Sequence, residues 1–309
     1  MGRARGRPSP GPPLDLLVVG HTNVDHFLKV ARLPRVDRTV PLTGERTALG
    51  GTAATIARWA ARAGVATGLH SLIGPDFPRS FERTMASEGV DIGGVRRVEG
   101  ARTPSCYIVE DGRGAQFTLI HQGPMGNADG ASVPVTLVAR SRWVHLTTGD
   151  PRYLLKVKAV AQRAGVKVAV DPAQEIHYLW DAGTFASLIE GAEVLFGNHD
   201  EVERSLTLLR IPHRRALLAR VPLVVETRGR SGAIAWTRRG PIRTRAVRPR
   251  RMRQVTGAGD AFRGGFYGAW FAGQPLPGCL QFAAASAARC IEGRTEVKAP
   301  SLVGREPRP

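Results

Sequence analysis

The chain has 309 residues, of which 42 % are hydrophobic and 23 % are charged, and these proportions are typical of a globular protein with a large buried core. No apolar stretch approaches the ~20 residues that a membrane-spanning helix needs, so we expect no membrane partner. The formal net charge of +18 favours polyanionic partners, but the basic residues are scattered and match no nucleic-acid-binding motif, so nucleic acid is not the expected partner.

Both ends of the chain are polar and are predicted to be tails. Residues 1–13 are rich in Arg, Gly and Pro and lack the apolar segment of a signal peptide, so we expect a disordered basic tail and a cytoplasmic protein. Residues 304–309 are the second predicted tail, and a single domain is expected over 14–303. The three cysteines match no metal-ligand spacing and are expected to be buried thiols.

The first predicted element is the apolar run Leu14–Gly20, which ends in glycine as a buried parallel strand does. A helix over 51–63, a strand over 65–73 and a short helix over 80–88 are predicted next. Residues 34–49 and 101–121 instead alternate between apolar and polar side chains around turn signals. This alternation predicts strands of a small separate sheet, which we expect to act as a lid.

From residue 143 onward, strands and helices alternate regularly. The predicted strands cover 143–146, 166–170, 193–196, 223–226 and 233–237. The predicted helices cover 152–164, 184–190 and 200–209, and two more begin at Ala258 and Cys279. Alternation of this kind implies a parallel sheet covered by helices on both faces, so the predicted fold class is α/β.

Polar side chains follow several of these strands directly. They are Asn23, Asp25, Asp171, Asn198 and Thr227. Ligands of open α/β sheets bind in the crevice outside the carboxyl ends of the strands, so we expect these side chains to line one cleft.

The most informative stretch is Gln254–Phe262, a glycine-rich turn followed by a helix. Gly257 and Gly259 let the backbone approach a ligand, and the free N–H groups at the helix start suit a phosphate. Asp260 places a carboxylate beside this anion site, where it can take a proton from a hydroxyl group that attacks the phosphate. The alternative is that Asp260 only stabilises the helix dipole and that the glycines serve packing.

Two glycine-rich motifs resemble the signatures of a known family. Gly50–Thr55 at a helix start and Thr256–Asp260 late in the chain are similar to the paired motifs of the ribokinase-like (PfkB) carbohydrate and nucleoside kinases, and the resemblance covers 14–295. It implies a doubly wound, mostly parallel sheet flanked by helices, with a small β-sheet lid. It also implies an ATP-dependent kinase that uses Mg²⁺.

The resemblance implies a role for each matched position. Asp260 would be the general base, and the amides of Gly257, Ala258 and Gly259 would form the anion hole. The acceptor would be held by Asn23, Asp25, Gly50, Gly51 and Thr55, with Gln116 or His121 reaching in from the lid. The nucleotide would be bound by Asn198, Thr227, Gly229 and Gly232. Mg²⁺ would be organised by Asn198 and Glu201 of the N-x-x-E motif.

Three further sequence segments resemble archaeal nucleoside kinases more than other members of this family: Gly20–Thr22, Val144–Pro151 and Asp171–Gln174. They imply transfer of the ATP γ-phosphate to the 5′-hydroxyl group of a nucleoside. They also imply a homodimer, which we expect to form through the lid strands near 40–49 and 103–121.

The sequence departs from the family pattern in two places. Gln254 and Val255 replace the usual Asp-Thr before the late motif, and Thr55 replaces the usual Asn, which alters a contact with the acceptor. Two alternatives therefore stay open: a sugar kinase acting on ribose or a keto-acid sugar, and a non-catalytic nucleotide- or RNA-binding protein that retains the fold. The presence of Asp260 favours the enzyme.

Three of the assigned side chains also have ordinary structural explanations. Glu201 fits an exposed first-turn glutamate that stabilises its helix. Asp25 fits a turn, and Thr227 fits a strand end.

Overall fold

The computed structural model of the protein describes residues 11–253 and 256–296. The strands within these ranges are β1 (Leu14–Val19), β2 (Asn23–Val30), β3 (Leu42–Gly50), β4 (Thr67–Ile73), β5 (Val90–Arg97), β6 (Ser105–Asp111), β7 (Gln116–His121), β8 (Ser141–Leu146), β9 (Lys167–Val170), β10 (Val194–Asn198), β11 (Leu223–Thr227), β12 (Ala233–Thr237) and β13 (Gly240–Thr244). The α-helices are α1 (Thr52–Arg62), α2 (Arg79–Ser87), α3 (Val135–Ala139), α4 (Pro151–Arg163), α5 (Ala182–Ile189), α6 (His199–Leu209), α7 (Arg214–Leu217), α8 (Ala258–Phe271) and α9 (Leu276–Ile291). Most of the first predicted tail, all of the second and the last residues of the predicted domain lie outside the described ranges.

A large sheet forms the centre of the described part of the chain, in the order β13-β12-β11-β10-β9-β8-β1-β4-β5. The strands from β11 to β5 in this order pair in parallel. β12 and β13 extend one edge in antiparallel orientation. The predicted α/β class with a mostly parallel sheet is therefore confirmed.

Helices cover both faces of the large sheet and form one hydrophobic core with each face. Successive side chains of the buried strands therefore point alternately into the two cores. Leu16 and Val18 of β1 belong to the core under α1, α8 and α9, and Leu17 and Val19 belong to the core under α4, α5 and α6. α8 lies close against α1, since a Cβ at Gly264 would be only 2.4 Å from Trp59 Cβ. This close packing brings the start of α8 beside the start of α1.

The lid is a separate sheet of four strands in the order β3-β2-β6-β7. The hairpin predicted within 101–121 is present as β6 and β7. The predicted segment 34–49 forms a strand only from Leu42 onward, and that strand runs to Gly50. The sequence does not predict β2, in which Asn23 and Asp25 lie. β2 is polar for a strand, and it is held by antiparallel pairing with β3 and parallel pairing with β6.

Two edge strands of the large sheet, β5 and β13, are also absent from the sequence prediction. β5 contains Gly93 and Gly94, and β13 begins with Gly240 and Pro241, residues that disfavour strands in general and are tolerated at sheet edges. The other predicted elements of the large sheet and its helices agree with the structure to within three residues at each end. No helix in the described ranges is long and apolar enough to cross a membrane.

Candidate active site

The turn before α8 has the geometry that the sequence predicts. Gly257 caps the helix start with a φ of 84°, a left-handed conformation that a side chain would strain. The first turn of a helix leaves four amide groups without intrahelical partners, and here they belong to Gly257, Ala258, Gly259 and Asp260. A Cβ at Gly257 would lie 3.6 Å from Thr55 Cγ2, so the turn is directly beside the early glycine motif.

A cavity of about 730 Å³ lies between the lid sheet and the starts of α1 and α8. The predicted site residues that line it are Asn23, Asp25, Gly50, Gly51, Thr55, Gln116, Gly257 and Asp260. Side chains alternate along β7, so Gln116 faces the cavity whereas His121 lies on the opposite face of the lid. The structure thus brings the carboxylate of the late motif and the residues predicted to hold the acceptor to one place.

The lid strand β2 presents two buried oxygens that have no hydrogen-bond partner among the described residues, Asn23 Oδ1 and Asp25 Oδ1. Asp25 is only 8 % exposed, and burial raises the pKa of its carboxyl group to about 7, against the opposing charge of Arg46. Buried polar groups are rarely left without a partner, so these oxygens keep a free capacity to accept hydrogen bonds at the cavity wall. A turn does not explain Asp25, which lies within a strand paired on both sides.

The early glycine motif makes room for this carboxylate. A Cβ at Gly50 would lie 1.9 Å from Asp25 Oδ2, so any larger residue there would displace the side chain of Asp25. Gly51 then leads into α1, where Ala53 N–H donates to His21 O at 3.2 Å. The motif therefore lets β2, β3 and the start of α1 meet at the cavity.

Asp260 lines the cavity from the first turn of α8. Burial raises the pKa of its carboxyl group to about 7. The Arg263 guanidinium opposes this rise, whereas the carboxyl groups of Asp171, Glu201 and Asp25 add to it. A carboxylate whose pKa is near neutrality can accept and release a proton at ordinary pH, which suits a general base.

Asn198 and Glu201 cap each other at the start of α6. Asn198 N–H donates to Glu201 Oε2 at 2.7 Å, and Glu201 N–H donates to Asn198 Oδ1 at 2.9 Å. Glu201 is 5 % exposed, so it is not the exposed first-turn glutamate of the simple alternative, although it does stabilise its helix.

Thr227 ends β11 and lies opposite Asn198 in the parallel register. Gly229 and Gly232 follow in a tight turn, which Arg228 N–H closes by donating to Gly232 O at 2.8 Å. Within the described ranges, these residues and Asn198 do not line the lid cavity. They form a second surface at the carboxyl ends of β10 and β11.

Glu226 is a buried carboxylate beside this surface that the sequence prediction does not include. It accepts hydrogen bonds from Arg214 Nε at 2.7 Å, Trp236 Nε1 at 2.8 Å and Arg228 Nε at 3.0 Å, and His199 Nδ1 lies 2.8 Å away. Burial alone would raise the pKa of Glu226, but these partners hold it below its usual value. The cluster fixes α6 and α7 to the end of β11.

The N-x-x-E residues fit Mg²⁺ through water. Their mutual cap already uses Asn198 Oδ1 and Glu201 Oε2. In the part of the chain that the structure describes, no group of three or more His, Cys, Asp or Glu side chains could hold a metal ion. Mg²⁺ commonly keeps several waters and binds phosphate oxygens, so an ion that arrives with a nucleotide suits this surface.

Two arginines near the cavity are missing from the sequence prediction. Arg263 is 5 % exposed and its Nη2 donates to Asp171 Oδ1 at 3.0 Å. Arg46 lines the cavity on the lid side, with its Cζ 3.6 Å from the centroid of the Phe27 ring. The available signal for Arg263 is that it is the one basic residue of α8, a helix whose other residues apart from Asp260 are mostly small or aromatic. The departures at Gln254 and Val255 lie outside the described residues.

Three comparisons with known proteins agree with this geometry. A model of the pfkB family of carbohydrate kinases matches residues 14–297. The nucleoside kinase of Methanothermobacter thermautotrophicus is 30 % identical over 279 residues, covering 90 % of this chain and 89 % of that protein. The ATP-dependent ribose-1-phosphate kinase of Halopiger xanaduensis is 29 % identical over 279 residues, covering 88 % and 90 %. The crystal structure of the Methanocaldococcus jannaschii nucleoside kinase superposes with a TM-score of 0.84 at 27 % identity, covering 94 % of this chain and 97 % of that one.

Proposed function

The chain belongs to the pfkB family of carbohydrate kinases, and on that premise we propose that it transfers the γ-phosphate of ATP to the 5′-hydroxyl group of a nucleoside. One observation carries the proposal: Asp260 lines the same cavity as the oxygens of Asn23 and Asp25 that have no hydrogen-bond partner among the described residues. A potential base and a pair of hydroxyl-binding oxygens suit an alcohol as the reacting group. Similarity to the nucleoside kinases of two methanogens supports a nucleoside as that alcohol.

In this proposal, Asp260 accepts the proton of the 5′-hydroxyl group as its oxygen attacks the γ-phosphorus and the bond to the ADP oxygen breaks. Asp25 and Asn23 bind the ribose hydroxyl groups and so hold the 5′-oxygen toward α8. Positioning of this kind can supply a large part of the rate increase, because the two reactants meet in a fixed orientation.

The anion hole consists of the amides of Gly257, Ala258 and Gly259 at the start of α8. A helix start alone stabilises an anion by about 1 kcal/mol, whereas enzymatic acceleration commonly requires about 8 kcal/mol or more. Several groups must therefore act together on the transferred phosphoryl group, and the lid must exclude water.

The nucleotide is proposed to lie against Asn198, Thr227, Gly229 and Gly232, at the carboxyl ends of β10 and β11. Bound Mg²⁺ would neutralise charge on the phosphates. Glu201 is proposed to hold a water of that ion, since its Oε2 is engaged in the helix cap. The amide groups of Ser231 and Gly232 already donate to Arg228 O and Gly229 O within the turn, so the amides of Gly229 and Arg230 are the ones proposed to meet phosphate oxygens.

The acceptor side also carries the position at which this chain departs from its family. Thr55 lines the cavity where the family usually has Asn, and a threonine offers one hydroxyl group in place of an amide. Gln116 faces the same space from β7. We propose that these two residues contact the nucleoside beyond the groups that Asp25 holds.

A second candidate function is phosphorylation of an acidic sugar or a sugar phosphate. The guanidinium group of Arg46 lies in the wall of the cavity beside Asp25 and would suit a carboxylate or phosphate of the acceptor. The similarity to a ribose-1-phosphate kinase is consistent with this candidate. Plain ribose has no anionic group for this arginine to bind.

The test is a panel of acceptors with the purified protein and Mg-ATP. The panel contains the common nucleosides, ribose, ribose 1-phosphate and a keto-acid sugar, and the measurement is ADP release together with mass analysis of the product. We expect nucleoside monophosphates. Turnover of an anionic sugar alone would establish the second candidate, and it should then depend on Arg46, with Arg46→Gln raising the KM of that acceptor.

We also propose a homodimer formed through the lid. On the lid face away from the cavity, Phe117 is 41 % exposed and Leu119 is 60 % exposed, and His26 stacks on Tyr107 at 4.7 Å. Exposed apolar side chains grouped on one face are suited to burial against a second copy. Light scattering at micromolar concentration should give the mass of a dimer, and the mass of a monomer would contradict the proposal.

The domain organisation and the location are proposals of the same kind. We propose one kinase domain over 14–303, with the lid strands inserted in its first half, acting in the cytoplasm, where ATP is available. Fusion of the chain to a fluorescent protein tests the location, and signal restricted to a membrane or to the cell exterior would contradict it.

A further inference from the structure

We propose that Arg263 is a positioning residue for the phosphoryl transfer, because its buried guanidinium group ties the turn that carries Asp260 to the carboxylates of Asp171 and Glu201. The inference rests on the proposed function, since it gives Arg263 a task in the same reaction. Arg263 is not among the described residues that line the cavity, so it acts through its neighbours and not on the acceptor.

The contacts of Arg263 span three elements of the fold. Arg263 lies three residues after Asp260 on α8 and is 5 % exposed. Its Nη2 donates to Asp171 Oδ1 at 3.0 Å, its Nε pairs with Asp171 Oδ2, and its Nη2 is 3.7 Å from Glu201 Oε2. The Nε and Nη2 edge of the guanidinium group therefore binds Asp171, the residue after β9. Nη2 also approaches Glu201 at the start of α6.

The third nitrogen of the guanidinium group faces the glycine turn. A Cβ at Gly259 would lie 2.8 Å from Arg263 Nη1, so a glycine at this position leaves the space that the guanidinium group occupies. Gly259 thus serves two purposes in the proposal: its amide belongs to the anion hole, and its missing side chain admits Arg263. The position of the anion-binding turn is thereby linked to Asp171.

The charges around Arg263 are unbalanced without it. The carboxyl groups of Asp171, Glu201 and Asp25 all act on Asp260 and favour its protonated form, and Arg263 is the cation that opposes them. Buried carboxyl groups raise one another's pKa, and removal of one member of a buried ion pair leaves an uncompensated charge. Loss of Arg263 should therefore both loosen the turn and keep Asp260 protonated to higher pH.

The neighbouring histidine does not supply the missing positive charge. His145 Nε2 lies 3.8 Å from Asp171 Oδ2, but burial lowers the pKa of His145 to about 4, so it is neutral at ordinary pH. Tyr267, which hydrogen-bonds His145 Nδ1 at 2.7 Å, is also neutral, because burial raises its pKa. The balance of charge at this site depends on Arg263.

The experiment compares Arg263→Met and Arg263→Lys with a matched control, Arg140→Met. Arg140 pairs with Asp91 at the opposite end of the large sheet, and its side chain is 12 % exposed, so its removal tests the loss of a mostly buried arginine far from the site. The measurements are kcat, the KM of each substrate, and the pH dependence of kcat, with circular dichroism to confirm folding. The acceptor is the one that gives the highest turnover with the wild-type protein.

For Arg263→Met we expect kcat to fall about 100-fold, the size of effect that follows a misplacement of ~1 Å. Both KM values should stay within about threefold, since the binding residues are unchanged. The acid limb of the pH profile of kcat, where kcat rises as the base loses its proton, should move to higher pH. Arg263→Lys keeps the charge but not the planar fork. Its acid limb should therefore stay near that of the wild type while kcat is still reduced. Arg140→Met should keep kcat and the acid limb.

A folded Arg263→Met protein that keeps kcat and its acid limb within twofold of the wild type would overturn the proposal. A loss of kcat matched by Arg140→Met, with no movement of the acid limb, would reduce Arg263 to a structural residue and would also overturn it. Failure of the proposed function is recognised separately, because the wild-type protein would then phosphorylate no nucleoside before any variant is compared. If Arg263→Met does not fold, Arg263→Lys decides by comparison with Arg140→Met. A reduced kcat with both KM values near those of the wild type, while Arg140→Met keeps kcat, supports the proposal; a kcat of Arg263→Lys within twofold of the wild type, or a loss that Arg140→Met shares, overturns it.

Discussion

The two sides of the site satisfy their polar groups in different ways. On the proposed acceptor side, β2 carries buried oxygens of Asn23 and Asp25 that have no partner among the described residues. On the proposed nucleotide side, Asn198 and Glu201 cap each other, and the buried carboxylate of Glu226 is surrounded by hydrogen-bond donors.

This difference distinguishes side chains that are expected to bind a ligand from side chains that also stabilise the fold. A buried polar group without a partner lowers the stability of the protein until a ligand supplies the hydrogen bond. Substitutions on the acceptor side should therefore change ligand binding more than folding. A group that is already satisfied by its own chain loses folding interactions when it is replaced, so substitutions on the nucleotide side should lower stability as well.

The largest expected effect is at Asp260, where the two sides meet. Replacement by Asn removes the base but keeps the size of the side chain, so kcat should fall by about 100- to 10,000-fold, the usual contribution of general base catalysis. The Kd for Mg-ATP, measured by calorimetry, should stay within several-fold. Near-normal turnover of Asp260→Asn would show that the proton is taken by another group.

The acceptor side is tested next by Asp25→Asn. A hydrogen bond to a charged group contributes about 1.5–3 kcal/mol, so the KM of the acceptor should rise about 10- to 100-fold. The KM of ATP should not change, because Asp25 belongs to the lid. Asp15→Asn, a change at the other end of the large sheet, serves as the control. An equal rise in both KM values would contradict the division of the site.

The stability of the ligand-free protein should depend on Asp25 through pH. Its folded pKa of about 7 is above the unfolded value of 3.8, so the folded state binds the proton more tightly. The stabilisation is present below pH 3.8 and is lost as the pH rises toward 7, by up to about 1.4 kcal/mol for each pH unit. Asp25→Asn removes this loss, so urea unfolding should favour the variant more at pH 8 than at pH 5. Equal differences at both pH values would contradict the burial of an ionisable carboxylate.

The smallest expected effect is on the nucleotide side. Asn198→Ala removes a helix cap and should lower the free energy of unfolding by about 1 kcal/mol. Asp181→Ala removes the corresponding cap of α5 and should cost a similar amount, but it lies outside the proposed site. Only Asn198→Ala should also weaken nucleotide binding in calorimetry. If both variants bind nucleotide equally well, Asn198 is a cap and nothing more.

The central strands of the large sheet are predictable from the sequence because they are buried on both faces and read as mostly apolar runs, as Leu14–Val19 does with Asp15 as its one polar residue. β2 is different, since the run Asn23–Val30 carries Asp25, His26 and Lys29. Its strand conformation depends on pairing with β3 and β6, which are far away in the sequence. Local pattern therefore predicts the framework and misses the strand that carries the acceptor-side oxygens.

The residues of the candidate site also fall into two groups, those that a short sequence pattern identifies and those that depend on contacts between distant elements. The glycine motifs identify Gly50 and Gly257. Gly50 is required by the close approach of Asp25, and Gly257 is required by its left-handed backbone, so a short sequence pattern is enough to find both. The partners of Arg263 and Glu226 arise from the meeting of distant elements, and Arg263 is 92 residues from Asp171. No short pattern encodes such a pair, although a single arginine within an apolar helix is a signal that it has a buried partner.

The most direct test of the account is a crystal structure with a bound nucleoside and a non-hydrolysable ATP analogue. We predict that the nucleoside 5′-oxygen lies within about 2.6–3.2 Å of an Asp260 carboxylate oxygen. The γ-phosphate should contact the amides at the start of α8, and Asp25 should accept hydrogen bonds from the ribose. A 5′-oxygen separated from Asp260 by more than one water, or a γ-phosphate bound away from Gly257–Gly259, would contradict the central claim.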